Sequence, residues 1–241
     1  MLSKLLRSIV VVFYLCAPAQ AAITYSSVQV VAESADGNSV TTAGINTTGA
    51  NFCFAGISSL DSAGAMAITD SKTNTWSALT VRSAVGSSTR ATTFYAINPT
   101  VGTGHTFSSS TVSSSFPSIA VACFSGVHAT APFDVENGAT NDSQVTSNAT
   151  GSVSPSASTN VVIAFMCFRR ATTSITIGSS FSMTGTEELA GNGLNAALAY
   201  KLSPSASENP SFSWTTASEI AAEIASFKEA AVASSGGGRV R

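Results

Sequence analysis

Short runs in which apolar and polar residues alternate recur along the chain, separated by clusters of turn-forming residues. "ITYSSVQVVA", "SVTTAGI", "ANFCFAGI", "TWSALTVRS", "ATTFYAI", "SIAVACFSG", "SQVTSNATGSVS", "NVVIAFMCF" and "NAALAYKL" are examples; "ADGN", "NTTG", "TDSKTN", "NPTVGTG", "VENGATND" and "SPSASENP" are among the breaks. Period-two alternation places successive side chains on opposite faces of a pleated strand. Turn signals roughly 8–12 residues apart are those of a sandwich or barrel. No helix of ordinary length stands between the runs, which excludes crossover βαβ units. The pattern predicts an all-β, antiparallel two-sheet sandwich, with residues 22–228 as its single domain.

The runs differ in expected depth. "NVVIAFMCF" is apolar on both faces, with Val161, Ile163, Phe165 and Cys167 on one and Val162, Ala164, Met166 and Phe168 on the other, so it is expected as a central strand. "NAALAYKL" sets Leu194, Ala196, Leu198, Tyr200 and Leu202 against Asn195, Ala197, Ala199 and Lys201, the half-buried pattern of an antiparallel sheet. One segment conflicts with the rest. In "TASEIAAEIASFKEAA", Ile220, Ile224 and Phe227 stand at helical spacing, and Thr216 with Glu219 has the spacing of a capping box, so local rules predict a helix.

Composition sharpens the picture. Apolar residues make up 44% of the chain but charged ones only 10%, against the usual quarter or so. The net charge is −2 and no basic stripe exists, which argues against a nucleic-acid partner. "MLSKLLRS", the apolar "IVVVFYLCA" and the small-residue "APAQA" read as a secretory signal peptide over residues 1–21. The apolar run falls well short of the ~20 residues a spanning helix needs, so the mature chain is expected to be exported (secreted, periplasmic or cell-surface) and to have no membrane partner. After Lys228, "EAAVASSGGGRVR" loses its periodicity and is expected as a flexible tail over 229–241. Cleavage removes Cys16 and leaves Cys53, Cys123 and Cys167. Each sits in an apolar run, and we expect three buried cysteines acting as small hydrophobes, one disulfide plus a free thiol being the alternative.

Several phrases together, "TTGANFCFAGIS", "ITDSKTNTWSALT", "FYAINPTVGTGHTFS", "FPSIAVACFSG", "PFDVENGAT" and "AAEIASFK", resemble a group of uncharacterised bacterial and phage proteins taken to be jelly-roll, concanavalin-like β-sandwiches. The resemblance spans about Val28 to Lys228. It implies the fold, carries over no activity or catalytic residue, and implies that "AAEIASFK" is the closing strand.

The candidate chemistry is sparse. In "ITDSKTNTWSALTV", Asp70, Lys72 and Asn74 read as a turn made by side chain-to-backbone bonds, and Trp76 as a packing residue on the exiting strand. "PFDVENGATND" concentrates Asp134, Glu136, Asn137, Asn141 and Asp142 in one expected loop, read first as a long hairpin stabilised by Asx turns, with a calcium site, the only cofactor the sequence suggests, as the alternative. His105 and His128 are expected at the surface or in loops, and neither neighbours a serine in a G-x-S-x-G elbow, so nucleophilic catalysis is not expected. Glu187 and Glu188 fall on opposite faces of any strand; Asp134 and Glu136 would point the same way but have no third acid at alternating spacing. Trp76, Tyr95, Trp214, Asn98 and Asn192 are the candidates for a sugar-binding surface. The expected function is therefore non-catalytic: an exported sandwich acting in adhesion, glycan binding or structure, with a glycan or surface protein as partner. A phage virion protein, a capsid decoration or tail-associated sandwich, is the alternative.

Overall fold

The structure, a computed structural model, describes residues 22–32, 37–60, 64, 66–111, 116–170, 173–187 and 194–231. The expected signal peptide, the tail beyond residue 231, Glu188 and Asn192 lie outside the described residues.

The first half of the chain supplies β1 (Thr24–Ala32), β2 (Ser39–Thr41), β3 (Phe52–Ser59), β4 (Met66–Asp70), β5 (Ser77–Ala78), β6 (Arg82–Ala84), β7 (Thr89–Ile97), β8 (Phe107–Thr111) and β9 (Ser118–Ser125). The second supplies β10 (Phe133–Ala149), β11 (Val161–Phe168), β12 (Thr176–Ile177), β13 (Ser182–Glu187), β14 (Asn195–Leu202) and β15 (Ser211–Phe227). All pairing between these strands is antiparallel. One sheet runs β1-β9-β3-β7-β5, with β6 also on β7; the second runs β10-β15-β11-β14-β13, with β12 on β15; β2-β8-β4 form a third, smaller sheet. The expected all-β antiparallel sandwich forms. The pairing order lends nothing to the finer jelly-roll connectivity, because each main sheet is drawn from one half of the chain.

The layers follow from the alternation. Val161, Ile163, Phe165 and Cys167 of β11 meet Phe52, Phe54, Ala122 and Phe124 of the first sheet in a fully buried core. The opposite face of β11 (Val162, Ala164, Met166 and Phe168) is covered by Val153, Ile175, Phe181 and Trp214. The outer face of the first sheet (Cys53, Ala55, Ile57, Ile119 and Val121) is covered by Val40, Met66, Ile68 and Phe107 from the small sheet. Gly56 sets the spacing between the main sheets: a Cβ there would overlap the ring of Phe165.

The closing strand that the resemblance implied forms against the local helix spacing, and several other expectations need correction. The helix spacing in "TASEIAAEIASFK" yields to β15, because that segment pairs on one side with β10 and on the other with β11. In the strand, Ala221, Ala225 and Phe227 face the inter-sheet core while Ile220, Ala222 and Ile224 face outward, so both faces are buried and tertiary pairing overrides local preference. "PFDVENGATND" is no loop: it opens the 17-residue β10 and continues into "SQVTSNA" without a break. The cysteines are not three free thiols. Cys53 and Cys123 stand directly opposite each other on β3 and β9, Cα atoms 4.1 Å apart, and are bonded; Cys167 alone is free and buried. The strand expected over "TWSALTVRS" divides into β5 and β6, and two residues expected in the tail are tied down: Glu229 bridges Val127, and the Ala230 amide donates to the Gly126 carbonyl.

Candidate functional site

At one edge of the sandwich β5 and β6 meet β10, and an open cleft of about 370 Å³ lies there, lined by Ala78, Leu79, Thr80, Tyr95, Phe133 and Glu136. A β-bulge builds it. Phe133 pairs with Phe227, but the register shifts before Val135, which pairs with Ser226, and Glu136 then meets Ala225. An unbroken strand would put Phe133 and Glu136 on opposite faces; the extra residue puts them on the same one. The same shift separates two acids that the alternation placed together. Asp134 turns toward the Ser156 amide, Asn160 Nδ2 and Ser226 Oγ (2.8, 2.9 and 3.1 Å), while Glu136 turns across the sandwich to Thr80.

The aromatic lining is held from below. Buried Phe227 packs against Tyr95 and Phe133 with centroids 5.4 and 6.4 Å away, and buried Phe52 stacks on Tyr95 at 6.0 Å. Phe133 remains 36% exposed, one of three large apolar side chains so exposed among the described residues. The other two, Val81 and Val85, follow Thr80 along the same edge. Two rings locked by core aromatics and open to water form a stacking platform that pays little ordering cost on binding.

The polar side of the cleft is one carboxylate. Glu136 accepts from the Thr80 amide (3.2 Å) and from Thr80 Oγ1, which leaves acceptor capacity toward the opening. Behind it, on the same face of the neighbouring strand, lies Glu223, 1% exposed, with Arg82 Nε donating to its Oε2 at 2.6 Å. Burial pushes the Glu223 carboxyl up to about 8, and the nearby Glu136 adds to this, against the opposing pull of Arg82. Gly138 makes the ion pair reachable, since a Cβ there would collide with the Arg82 side chain.

The five oxygen-bearing residues of the calcium alternative are held by separate partners along β10. Asn137 donates to the Ser152 carbonyl (2.8 Å), Asn141 donates to Asn148 Oδ1 (3.3 Å), and Asp142 accepts from the Ser87 amide at 2.9 Å. Among the described residues no group of three or more His, Cys, Asp or Glu side chains is placed to hold a metal. Strand geometry is the reason: at about 3.3 Å per residue, positions 134 and 142 are too far apart to share an ion.

The turn after β4 forms as expected and hides a larger network. Asp70 accepts from Trp76 Nε1 (2.8 Å), from the amides of Lys72 (2.8 Å) and Asn74 (3.2 Å), and from Asn74 Nδ2 (3.1 Å). His105, expected at the surface, is fully buried; its Nε2 lies 3.0 Å from Asp70 Oδ1 and its Nδ1 2.9 Å from Thr47 Oγ1. Burial works to raise the Asp70 pKa, but the hydrogen bonds from Trp76, His105 and the Lys72 amide outweigh it and hold it below the ordinary value. Thr47, His105 and Asp70 thus line up as a hydroxyl–imidazole–carboxylate relay, but Thr47 and the His105 and Asp70 side chains are all fully buried. No substrate reaches them, and the relay ties the 47, 70–76 and 100–105 segments together.

Of the sugar-contact candidates among the described residues, only Tyr95 reaches the cleft. Trp76 is spent on Asp70 and packs edge-on against Phe107; Trp214 is 5% exposed and packs against Phe168. Asn98 is tied to a different segment, its Nδ2 donating to the Ala129 carbonyl at 2.8 Å. His128 lies in a loop as expected, its Nδ1 accepting from the Thr130 and Ala131 amides. Sequence reasoning missed Phe133, Leu79 and Thr80. Their grouping depends on a bulge and on two sheets meeting at an edge, and neither leaves a periodic trace. No family model, curated protein or solved structure matches the chain.

Proposed function

We propose that the protein is an exported, non-catalytic β-sandwich that binds a glycan in the cleft between Tyr95, Phe133 and Glu136. The observation that carries this reading is the combination of two solvent-facing rings fixed by buried aromatics with a carboxylate that still has free acceptor capacity. Sugar rings present apolar C–H faces and polar hydroxyl edges, and such a cleft answers both. The Cys53–Cys123 bond supports export, because disulfides persist in oxidising compartments, in keeping with the signal-like segment over residues 1–21.

A panel of immobilised oligosaccharides tests the reading, with the purified mature chain and its Phe133→Ser variant applied side by side. Retention on a subset of glycans, lost in the variant while its melting temperature is kept, is the expected result. No retention by the wild-type chain on any glycan, or equal retention by the variant, would overturn it.

A further inference from the structure

Resting on that reading, we infer that the cleft selects saccharides carrying a free, positively charged amino group over their acetylated or hydroxylated counterparts. The charge inventory leads there. Among the described residues that line the cleft, Glu136 is the only charged one, and its lining supplies no cation to meet a sulfate, phosphate or uronic acid. Arg82 stands nearby, but its Nε donates to Glu223 at 2.6 Å and it is not part of the cleft lining.

The geometry agrees with the charge. Thr80 fixes the Glu136 carboxylate through its amide and hydroxyl, so the head group is already oriented before a ligand arrives. Tyr95 and Phe133 flank it, and aromatic faces attract ammonium groups as well as stacking on sugar C–H surfaces. A carboxylate beside two rings therefore favours an ammonium twice over, by a charge-assisted hydrogen bond and by the ring quadrupoles. A neutral hydroxyl at the same position gains only the ordinary bond. An acetamide replaces the charge with a bulkier neutral group.

Three tetrasaccharides with one β-1,4-linked backbone separate the possibilities: glucosamine (amine), N-acetylglucosamine (acetamide) and glucose (hydroxyl at the same carbon). Titration calorimetry of the wild-type chain should rank the amine about tenfold tighter than the other two, the size expected of one charge-assisted hydrogen bond. The preference should shrink with added salt as the exposed charge is screened. Glu136→Gln keeps an acceptor for Thr80 and should collapse the amine to the level of the hydroxyl compound, whereas Phe133→Ser should weaken all three. Equal affinity for the three compounds overturns the amine selectivity and leaves the glycan reading standing. An amine preference that survives Glu136→Gln also overturns it, by placing the charge recognition elsewhere. No binding of any of the three overturns the amine selectivity as well, and the wider panel then decides the glycan reading on its own.

Discussion

Reducing the Cys53–Cys123 bond should cost this protein a large share of its stability. The bond closes a stretch with a sequence separation of 70 residues. In the chain-entropy account a loop of that size removes enough freedom from the unfolded chain to stabilise the fold by about 4.4 kcal/mol at 25 °C. Both sulfurs lie in the closed layer beneath the small sheet, so reduction in place leaves the packing atoms where they are and changes mainly the unfolded state. For a domain of this size each kcal/mol shifts the melting temperature by about 2–4 °C, so the reduced chain should melt about 9–18 °C lower. The protein is unfolded in denaturant with reductant, refolded under reductant, and compared with the oxidised form in urea unfolding followed by fluorescence. Intact mass should differ by two hydrogens between the forms, and Cys167, whose thiol burial pushes up to about 12, should resist alkylation in both until the chain unfolds. Coincident unfolding curves, or the same mass with and without reductant, would refute the reasoning.

Asp70→Ala strips four protein donors and His105 of their common acceptor, so it should destabilise by about 3–5 kcal/mol, the cost of breaking a buried pair from one side, read by urea denaturation. The Asp70 carboxyl is held below its ordinary value of 3.8, so its contribution is present above that value and lost as pH falls through the lower folded value, an acid-side loss that Asp70→Asn should remove. Gly56→Ala drives a methyl into the Phe165 ring and should cost about 1–3 kcal/mol in the same assay, with Phe165→Leu in the same chain recovering part of it. Glu223 runs the opposite way to Asp70: its value rises from 4.5 to about 8, so its contribution is whole below 4.5 and fades as pH climbs toward 8. The charged groups facing it are Arg82 from β6 and Glu136 from β10, and Glu223→Gln should flatten the fall in melting temperature across that window; parallel pH profiles for the variant and the wild type would dismiss the effect.

The strands and their depth were legible because alternation is a local signal. Val161 to Phe168 announces a strand buried on both faces, and it lies between two cores. What the sequence hid are features set by contacts far along the chain. Ile220, Ile224 and Phe227 carry helix spacing, and only their partners on β10 and β11 make them strand. Cys53 and Cys123 look alike in isolation and like Cys167; only the register of β3 against β9 distinguishes the bonded pair. His105 opens a short apolar run as a surface histidine would, and its burial follows from Asp70 and Thr47 closing over it. The acids of "PFDVENGATND" stand close in sequence but are dispersed along β10. Each fastens β10 to a different neighbour (Asp134 to the 156–160 turn, Glu136 to Thr80, Asp142 to Ser87), and one of them is left facing a cleft.

The central claim is that this cleft, and no other surface, takes the ligand. Backbone amide shift mapping by NMR, with the saccharide that binds tightest in the panel, tests it most directly. The account predicts perturbations centred on Ala78, Leu79, Thr80, Tyr95, Phe133 and Glu136, with the amides of Trp76, Asn98 and Trp214 unmoved. Perturbations centred on those three residues, or a spectrum that no saccharide changes, would contradict it.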